Sequence, residues 1–449
     1  MPRPHPAHPG RRALLAAGAL LAAAACTPSG TPRASGADRT SETPRTAGAP
    51  PVATGRAVVL PAPTGPLPVG TVELHLVDRS RPAPLLPSRP YQEVMAGVWY
   101  PADPGREGPV APWLPAAAAA DWDRHSAPGL TVPAGAVDWR GIRTHARTGA
   151  PVAGPPADPR TGGRLGRFPV LLFAPGDGGP RALGTALVEE LASHGYVVVA
   201  VDAPYEADQV EFPGGRVVRA LPLPAKLTPA TVAALLAEHA RARLADARFV
   251  LRALGALARG HNPDAAGRDL PAGLAEALDL TRVGAFGQSL GGSVAAALTR
   301  AEPRVRAAAG LDGAFVGPVA RTGVAVPFLL MLSGAHSLAD DPSRRSFWAA
   351  STGRRRALRM RGAGHGSYTD LQAILPQLTG LVAAEARAGL IGSVDPERSL
   401  AAQRAALTAF FDRYVKGRPG APFDFDAPGR SGYPVLEAVR YEQAGQSPR

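Results

Sequence analysis

Apolar and polar residues alternate along Thr71–Asp78 and again along Glu93–Tyr100. Alternation at period two marks a strand with one covered face. These two stretches are expected to pair antiparallel at one edge of a sheet. From Phe168 the pattern changes. Phe168–Ala174 and Tyr196–Asp202 are continuous apolar runs, and a helical stretch lies between them from Leu183 to His194. Uninterrupted apolar strands alternating with helices predict a mostly parallel sheet covered on both faces, an α/β architecture. The series continues with a long helix over Pro229–Arg259 and a strand at Val283–Phe286. A small-residue helix at Ser293–Arg300 follows, then strands at Arg306–Leu311, Val326–Leu332 and Ala357–Met360. An amphipathic helix at Ser399–Lys416 closes it. Residues 101–166 break the rhythm: they are rich in Pro, Gly and Ala and carry Trp113, Trp122 and Trp139. They are expected to form an irregular insertion over the core and part of a substrate cover. No internal repeat is present.

The ends read differently. Arg3, Arg11 and Arg12 precede a short apolar segment, Ala13–Ala22, and then Ala23-Ala24-Ala25-Cys26. A basic leader, an apolar stretch too short to span a bilayer and small residues at its end make a secretory signal. Cys26 is the single cysteine, so no internal disulfide is expected. Directly after the apolar stretch, it resembles the cysteine of a bacterial lipobox, although Ala23 stands where leucine is usual. The expected product is an exported protein held at the outer face of the membrane through lipidated Cys26, or a secreted one if Cys26 stays free. Arg11-Arg12 leaves twin-arginine export open beside the general route. Residues 27–56 hold few large apolar side chains and read as a flexible tether. The folded domain is expected over 57–418, with 419–449 as a loose tail.

Composition adds little about partners. The 449 residues carry a net charge of +12. The basic residues are nearly all scattered arginines, lysine occurring only at Lys226 and Lys416, and aromatic residues are few. Nothing resembles a nucleic-acid stripe. A basic surface that favours anionic membranes fits better.

The candidate chemistry centres on Arg282-Val283-Gly284-Ala285-Phe286-Gly287-Gln288-Ser289-Leu290-Gly291-Gly292. A strand runs into a glycine turn and a small-residue helix. Gly287-Gln288-Ser289-Leu290-Gly291 matches Gly-x-Ser-x-Gly, the nucleophile elbow of α/β-hydrolases. Serine at the tip of such a turn has a strained backbone, and glycine on either side removes side chains that would collide. The Leu290 N–H then opens the helix and can face a developing oxyanion. A serine needs a base and an acid, which in this fold follow it in the order acid, histidine. Only His336 and His365 follow Ser289. His365 sits in a glycine loop after the last predicted strand, where the base must swing over the sheet edge. His336 lies one loop too early. For the acid, Asp312 after one strand and Asp340 or Asp341 after the next are equally placed. The second oxyanion donor is expected in Pro175-Gly176-Asp177-Gly178-Gly179, from the Asp177 N–H, with its carboxylate turned away. No metal or organic cofactor is implied: there is no Cys/His cluster and no phosphate-binding lysine in the glycine loops.

Several landmarks in order resemble one family, the platelet-activating-factor acetylhydrolases of the plasma and type II kind with their bacterial lipase-like relatives. They are Leu60-Pro61-Ala62-Pro63-Thr64-Gly65-Pro66, Val69-Gly70-Thr71, Val98-Trp99-Tyr100-Pro101, Leu191-Ala192-Ser193-His194-Gly195-Tyr196, the elbow, Gly310-Leu311-Asp312 and Gly364-His365. The resemblance implies the α/β-hydrolase fold. It selects Asp312 as the acid, giving Ser289, Asp312 and His365. It implies hydrolysis of short or oxidised sn-2 acyl chains of glycerophospholipids. A broad short-chain ester or polyester hydrolase is the alternative, and a non-catalytic surface lipoprotein the reading of another class. The family often has histidine before the serine and an apolar residue in the oxyanion loop. This chain has Gln288 and Asp177.

Overall fold

The computed structural model describes residues 55–105, 108–154, 167–418 and 423–440. The predicted leader, Cys26 and most of the tether lie outside them.

The first strands are β1 (Val69–Asp78) and β2 (Gln92–Pro101), paired antiparallel over ten residues each. The insertion is less irregular than its composition suggests. It contributes β3 (Val110–Pro112), helix α1 (Ala116–His125) and β4 (Arg143–Thr148), and β4 joins β1 in parallel. The parallel centre begins with β5 (Phe168–Ala174), α2 (Thr185–Ser193) and β6 (Val197–Val201). A hairpin that the sequence did not announce, β7 (Gln209–Phe212) and β8 (Arg216–Arg219), precedes the long α3 (Pro229–Leu257). Next come β9 (Leu278–Gln288), α4 (Leu290–Ala301), β10 (Val305–Leu311), β11 (Phe328–Leu332), α5 (Pro342–Ala350) and β12 (Arg355–Met360). Two further helices, α6 (Leu371–Gln377) and α7 (Ala384–Ile391), lead to α8 (Pro396–Phe411), whose last turn widens at Asp412–Lys416. The tail read as loose ends in β13 (Leu436–Ala438), antiparallel to β12. A three-residue strand carries almost no periodic signal, and it forms because β12 would otherwise present a bare edge.

The eleven strands run in the order β13-β12-β11-β10-β9-β5-β6-β2-β1-β4-β3. Neighbours from β6 through β5 and β9 to β12 are parallel. This is the α/β-hydrolase fold expected from the sequence. The continuous apolar runs are explained by the core, which lies on both faces of the sheet. Val170 and Leu172 of β5 face α3 residues Val250, Leu251 and Leu254. Leu171 and Phe173 face the other layer, with Leu187 and Leu191 of α2 and Leu407 and Phe411 of α8. Alternate residues of one strand feed opposite layers, so every position must be apolar. Phe286 is fully buried against Phe173 and Phe411, with ring centroids at 4.9 and 5.9 Å. Truncating it would cost about 3–5 kcal/mol.

A third apolar cluster joins the insertion to α6 and α7. Trp113, Trp122 and Trp139 pack on one another at 5.6–6.1 Å, beside Leu371, Ile374 and Leu375. The Trp113 Nε1–H donates to Asp370 at 2.9 Å, which fixes the insertion to the loop after His365. The expected packing over the core is therefore carried by three indoles.

Candidate active site

Strand β9 enters the elbow and α4 leaves it. Ser289 adopts φ 53 and ψ −123, a left-handed backbone that a β-carbon disfavours. A methyl group on Gly291 would overlap the Ala174 carbonyl, and one on Gly287 would overlap the Gly291 backbone. Both glycines are thus demanded by contact with neighbouring chain. Leu290 is the first residue of α4, so its N–H has no carbonyl one turn back and remains free to donate. The Asp177 N–H, in the loop after β5, likewise has no partner among the described residues.

Asp312 follows β10 and is one of four described non-glycine residues with positive φ. Its N–H donates to Met331 at 2.7 Å, and its carboxylate is wholly enclosed. The His365 Nδ1–H donates to Oδ2 at 2.7 Å. Oδ1 receives the Ser333 N–H at 2.7 Å and the His336 Nδ1–H at 2.8 Å. Burial opposes the charge on Asp312, but the hydrogen bonds from His336 and His365 outweigh it and hold the carboxyl far below its usual range. Of the acid positions left equal by spacing, Asp312 is the one bonded to His365. Asp341 instead caps α5 through the Arg344 N–H at 2.9 Å, and Asp340 pairs with Arg344 at 2.7 Å. His336 does not line the cavity; it is a second imidazole behind the carboxylate.

Ser289, Leu290, Asp312, His365 and Asp177 all line one cavity of about 500 Å³. Its walls are largely apolar, from Leu85, Leu130, Leu221, Leu223, Leu236 and Leu390. The Ser289 hydroxyl makes no hydrogen bond to another described residue. His365 Nε2 is instead 3.0 Å from the amide nitrogen of Gln288. With its Nδ1 proton on Asp312, the imidazole carries its lone pair on Nε2, and the Gln288 amide donates to it.

Behind the Asp177 loop is a cluster that the sequence reading missed. The Asp177 carboxylate accepts from His239 Nδ1 at 2.7 Å, and Glu206 lies 3.7 Å from the same nitrogen. Arg243 pairs with Glu206 and donates to the carbonyls of Pro175 and Gly176. A signal was available. His239, Arg243 and Asp246 recur at spacings of four and three inside an Ala/Leu helix, which puts them on one face. The ligand atoms of Asp177, Glu206 and His239 lie within 4.8 Å of one another, a spacing that would also suit a cation. The Arg243 guanidinium already supplies one positive charge there.

Against this geometry, residues 53–209 and 234–418 match the family described as platelet-activating factor acetylhydrolase, isoform II. The chain belongs to that family, within the α/β-hydrolase fold. A probable 1-alkyl-2-acetylglycerophosphocholine esterase of the fungus Arthroderma benhamiae is 24% identical over 266 residues, covering 56% of this chain and 62% of the relative. The match therefore spans less than two thirds of that relative's length. Among solved structures, a ferulic acid esterase from Streptomyces cinnamoneus is 33% identical, with a TM-score of 0.66, covering 85% of this chain and 99% of the other.

Proposed function

We propose that this protein is a serine esterase that cleaves carboxylic esters through Ser289, His365 and Asp312. The observation that carries the proposal is the pairing of His365 Nδ1 with a wholly enclosed Asp312, in the cavity that also holds a strained Ser289. Ser289 Oγ attacks the ester carbonyl while His365 Nε2 takes its proton. Asp312 stabilises the imidazolium that results. The Asp177 and Leu290 N–H groups receive the oxyanion, a contribution of about 3–4 kcal/mol per donor. His365 then protonates the leaving alkoxide, and water attacks the acyl-enzyme by the same route to release the acid. Before the first step His365 Nε2 must exchange the Gln288 amide for the serine hydroxyl.

The substrate proposed from the family is a glycerophospholipid with a short or oxidised sn-2 acyl chain, which suits a largely apolar cavity. A second reading, an aryl or short-chain ester, is favoured by the 33% identity to a ferulic acid esterase over nearly its whole length. Hydrolysis of acetyl phospholipids compared with acetyl and feruloyl aryl esters separates the two. The proposed location is the outer membrane face, through lipidated Cys26; a Cys26→Ser protein that still fractionates with membranes would remove that part. The central experiment is labelling with a serine-reactive phosphonate and mapping of the adduct. Modification at Ser289 and loss of turnover in Ser289→Ala are expected. A folded protein that turns over no ester and takes no label at Ser289 would end the esterase reading.

A further inference from the structure

The oxyanion loop carries an acidic residue at the place where negative charge would develop. An anion beside a forming oxyanion raises the barrier, so a cation must offset it. Asp177 lines the cavity with an N–H that has no partner among the described residues, while its carboxylate accepts from His239 Nδ1 at 2.7 Å. His239 is on α3 and mostly buried. One turn further, Arg243 reaches the loop itself, donating to the Gly176 carbonyl at 2.9 Å and to Glu206 through Nε at 2.8 Å. Asp208 closes the loop from the far side, its N–H donating to the Gly178 carbonyl at 2.8 Å. The loop is thus held in shape by the Arg243 side chain and a backbone bond from Asp208, neither of which involves His239. What His239 adds is charge.

We propose that protonated His239 is a positioning residue for the reaction: it turns and neutralises the Asp177 carboxylate beside the oxyanion donor, and catalysis weakens when its proton is lost at alkaline pH. The inference rests on the esterase reading. The charge count supports it. Asp177 and Glu206 face Arg243 and His239, so the cluster is neutral only while His239 is protonated. Asp208 and Glu238 share the cavity wall and add no positive charge. Burial opposes a charge on His239, but the hydrogen bond it donates to Asp177 and the nearby Glu206 outweigh it and raise its pKa, with Arg243 acting the other way. The ordinary value for histidine is about 6.5, so in the folded protein the proton is held past that pH and lost above it. The alkaline limb of activity therefore falls above about pH 6.5, set by a group that touches no reacting atom.

The test is kcat/KM on p-nitrophenyl acetate from about pH 5.5 to about pH 9.5, with near-ultraviolet circular dichroism as a fold control. The wild type should pass to an alkaline plateau about tenfold lower. His239→Gln should lie on the low plateau at every pH, about tenfold down at neutrality. Asp177→Asn keeps the N–H and removes the anion; its alkaline limb should vanish. The double variant should recover activity relative to His239→Gln alone, which a merely structural role for His239 would not give. Arg241→Gln, exposed on the same helix, should follow the wild type. An alkaline limb that persists in both single variants, or a double variant no better than His239→Gln, overturns the inference. Should His239→Gln fail to fold, Asp177→Asn decides alone by its alkaline limb. A wild type without turnover or phosphonate adduct sinks the esterase reading and this inference with it. Turnover with the limb unmoved sinks this inference only.

Discussion

Of the aspartates that line the cavity, Asp312 and Asp177 each have an imidazole Nδ1 at 2.7 Å, yet the two pairs are built for opposite tasks. Asp312 is wholly enclosed, accepts from two imidazoles and one backbone N–H, and among the described residues has no arginine or lysine ion-paired to it. In the proposed reaction its charge is available to the imidazolium that forms. Asp177 is partly exposed and shares its imidazole with Glu206, which is paired to Arg243; with His239 protonated the set is balanced. There the carboxylate is the hazard and the histidine the remedy. The same two residue types at the same distance thus give a charge to be used on one side and a charge to be hidden on the other. Which role follows depends on the remaining partners. A third carboxylate, Asp370, sharpens this. Among the described residues it accepts neutral donors, the Thr185 and Ala186 N–H groups and the Trp113 Nε1–H, near the Glu189 carboxylate. Burial pushes its pKa up to about 7 despite those bonds.

The largest effect should come from the enclosed pair. Asp312→Asn keeps shape but offers a donor where His365 needs an acceptor, which favours the wrong tautomer. The kcat on p-nitrophenyl acetate should drop by about 10⁴. Asp341→Asn, altering a helix cap away from His365, should cost activity little. Equal losses in the two would show that the acid had been misplaced.

His336 comes next. Its Nδ1–H stabilises the Asp312 charge from behind without lining the cavity. His336→Gln should reduce kcat by about tenfold, the worth of one hydrogen bond to a charged group, and leave KM unchanged. A rise in KM alone would place His336 in substrate binding instead.

How much of this was legible in the chain follows from how local each signal is. The parallel centre could be read because β5, β6 and β9 are buried on both faces, which forces unbroken apolar runs. Ser289 could be read because its turn needs glycine two residues before and two after. His365 emerged from chain order. Asp312 did not follow from spacing, because a loop aspartate after either strand has the same local pattern; the family resemblance selected it, and the structure shows that carboxylate bonded to the imidazole. The α3 cluster stayed hidden for a related reason. His239 and Arg243 look like ordinary polar residues of a long helix until the loop after β5, some sixty residues away, is laid against them. The hairpin of β7 and β8 and the terminal β13 are too short to carry a period.

Gln288 should give a smaller but diagnostic change. Its amide donates to the lone pair of His365 Nε2 and so occupies the position that the serine hydroxyl must take. Gln288→Leu removes that donor and frees Nε2 for the hydroxyl. Phosphonate labelling of Ser289 at neutral pH should speed up by about threefold. An unchanged labelling rate would mean that the amide and imidazole part in solution.

The smallest effect belongs to Asp370, which forms no ion pair among the described residues. The folded state keeps Asp370 protonated up to about pH 7, whereas an unfolded aspartate ionises near pH 3.9. Between those values the folded state holds the extra proton, so stability is greatest at the acidic side and is lost as pH rises toward 7. Asp370→Asn cannot ionise. It also replaces one acceptor of the pair that serves Ala186 and Trp113, so its melting temperature should be lower at every pH. The slope is what distinguishes the causes. From pH 4 to pH 7 the variant should lose about 2 °C less than the wild type. Equal slopes would mean that the wild-type carboxyl ionises in place, and that its three neighbours, not its burial, decide its charge.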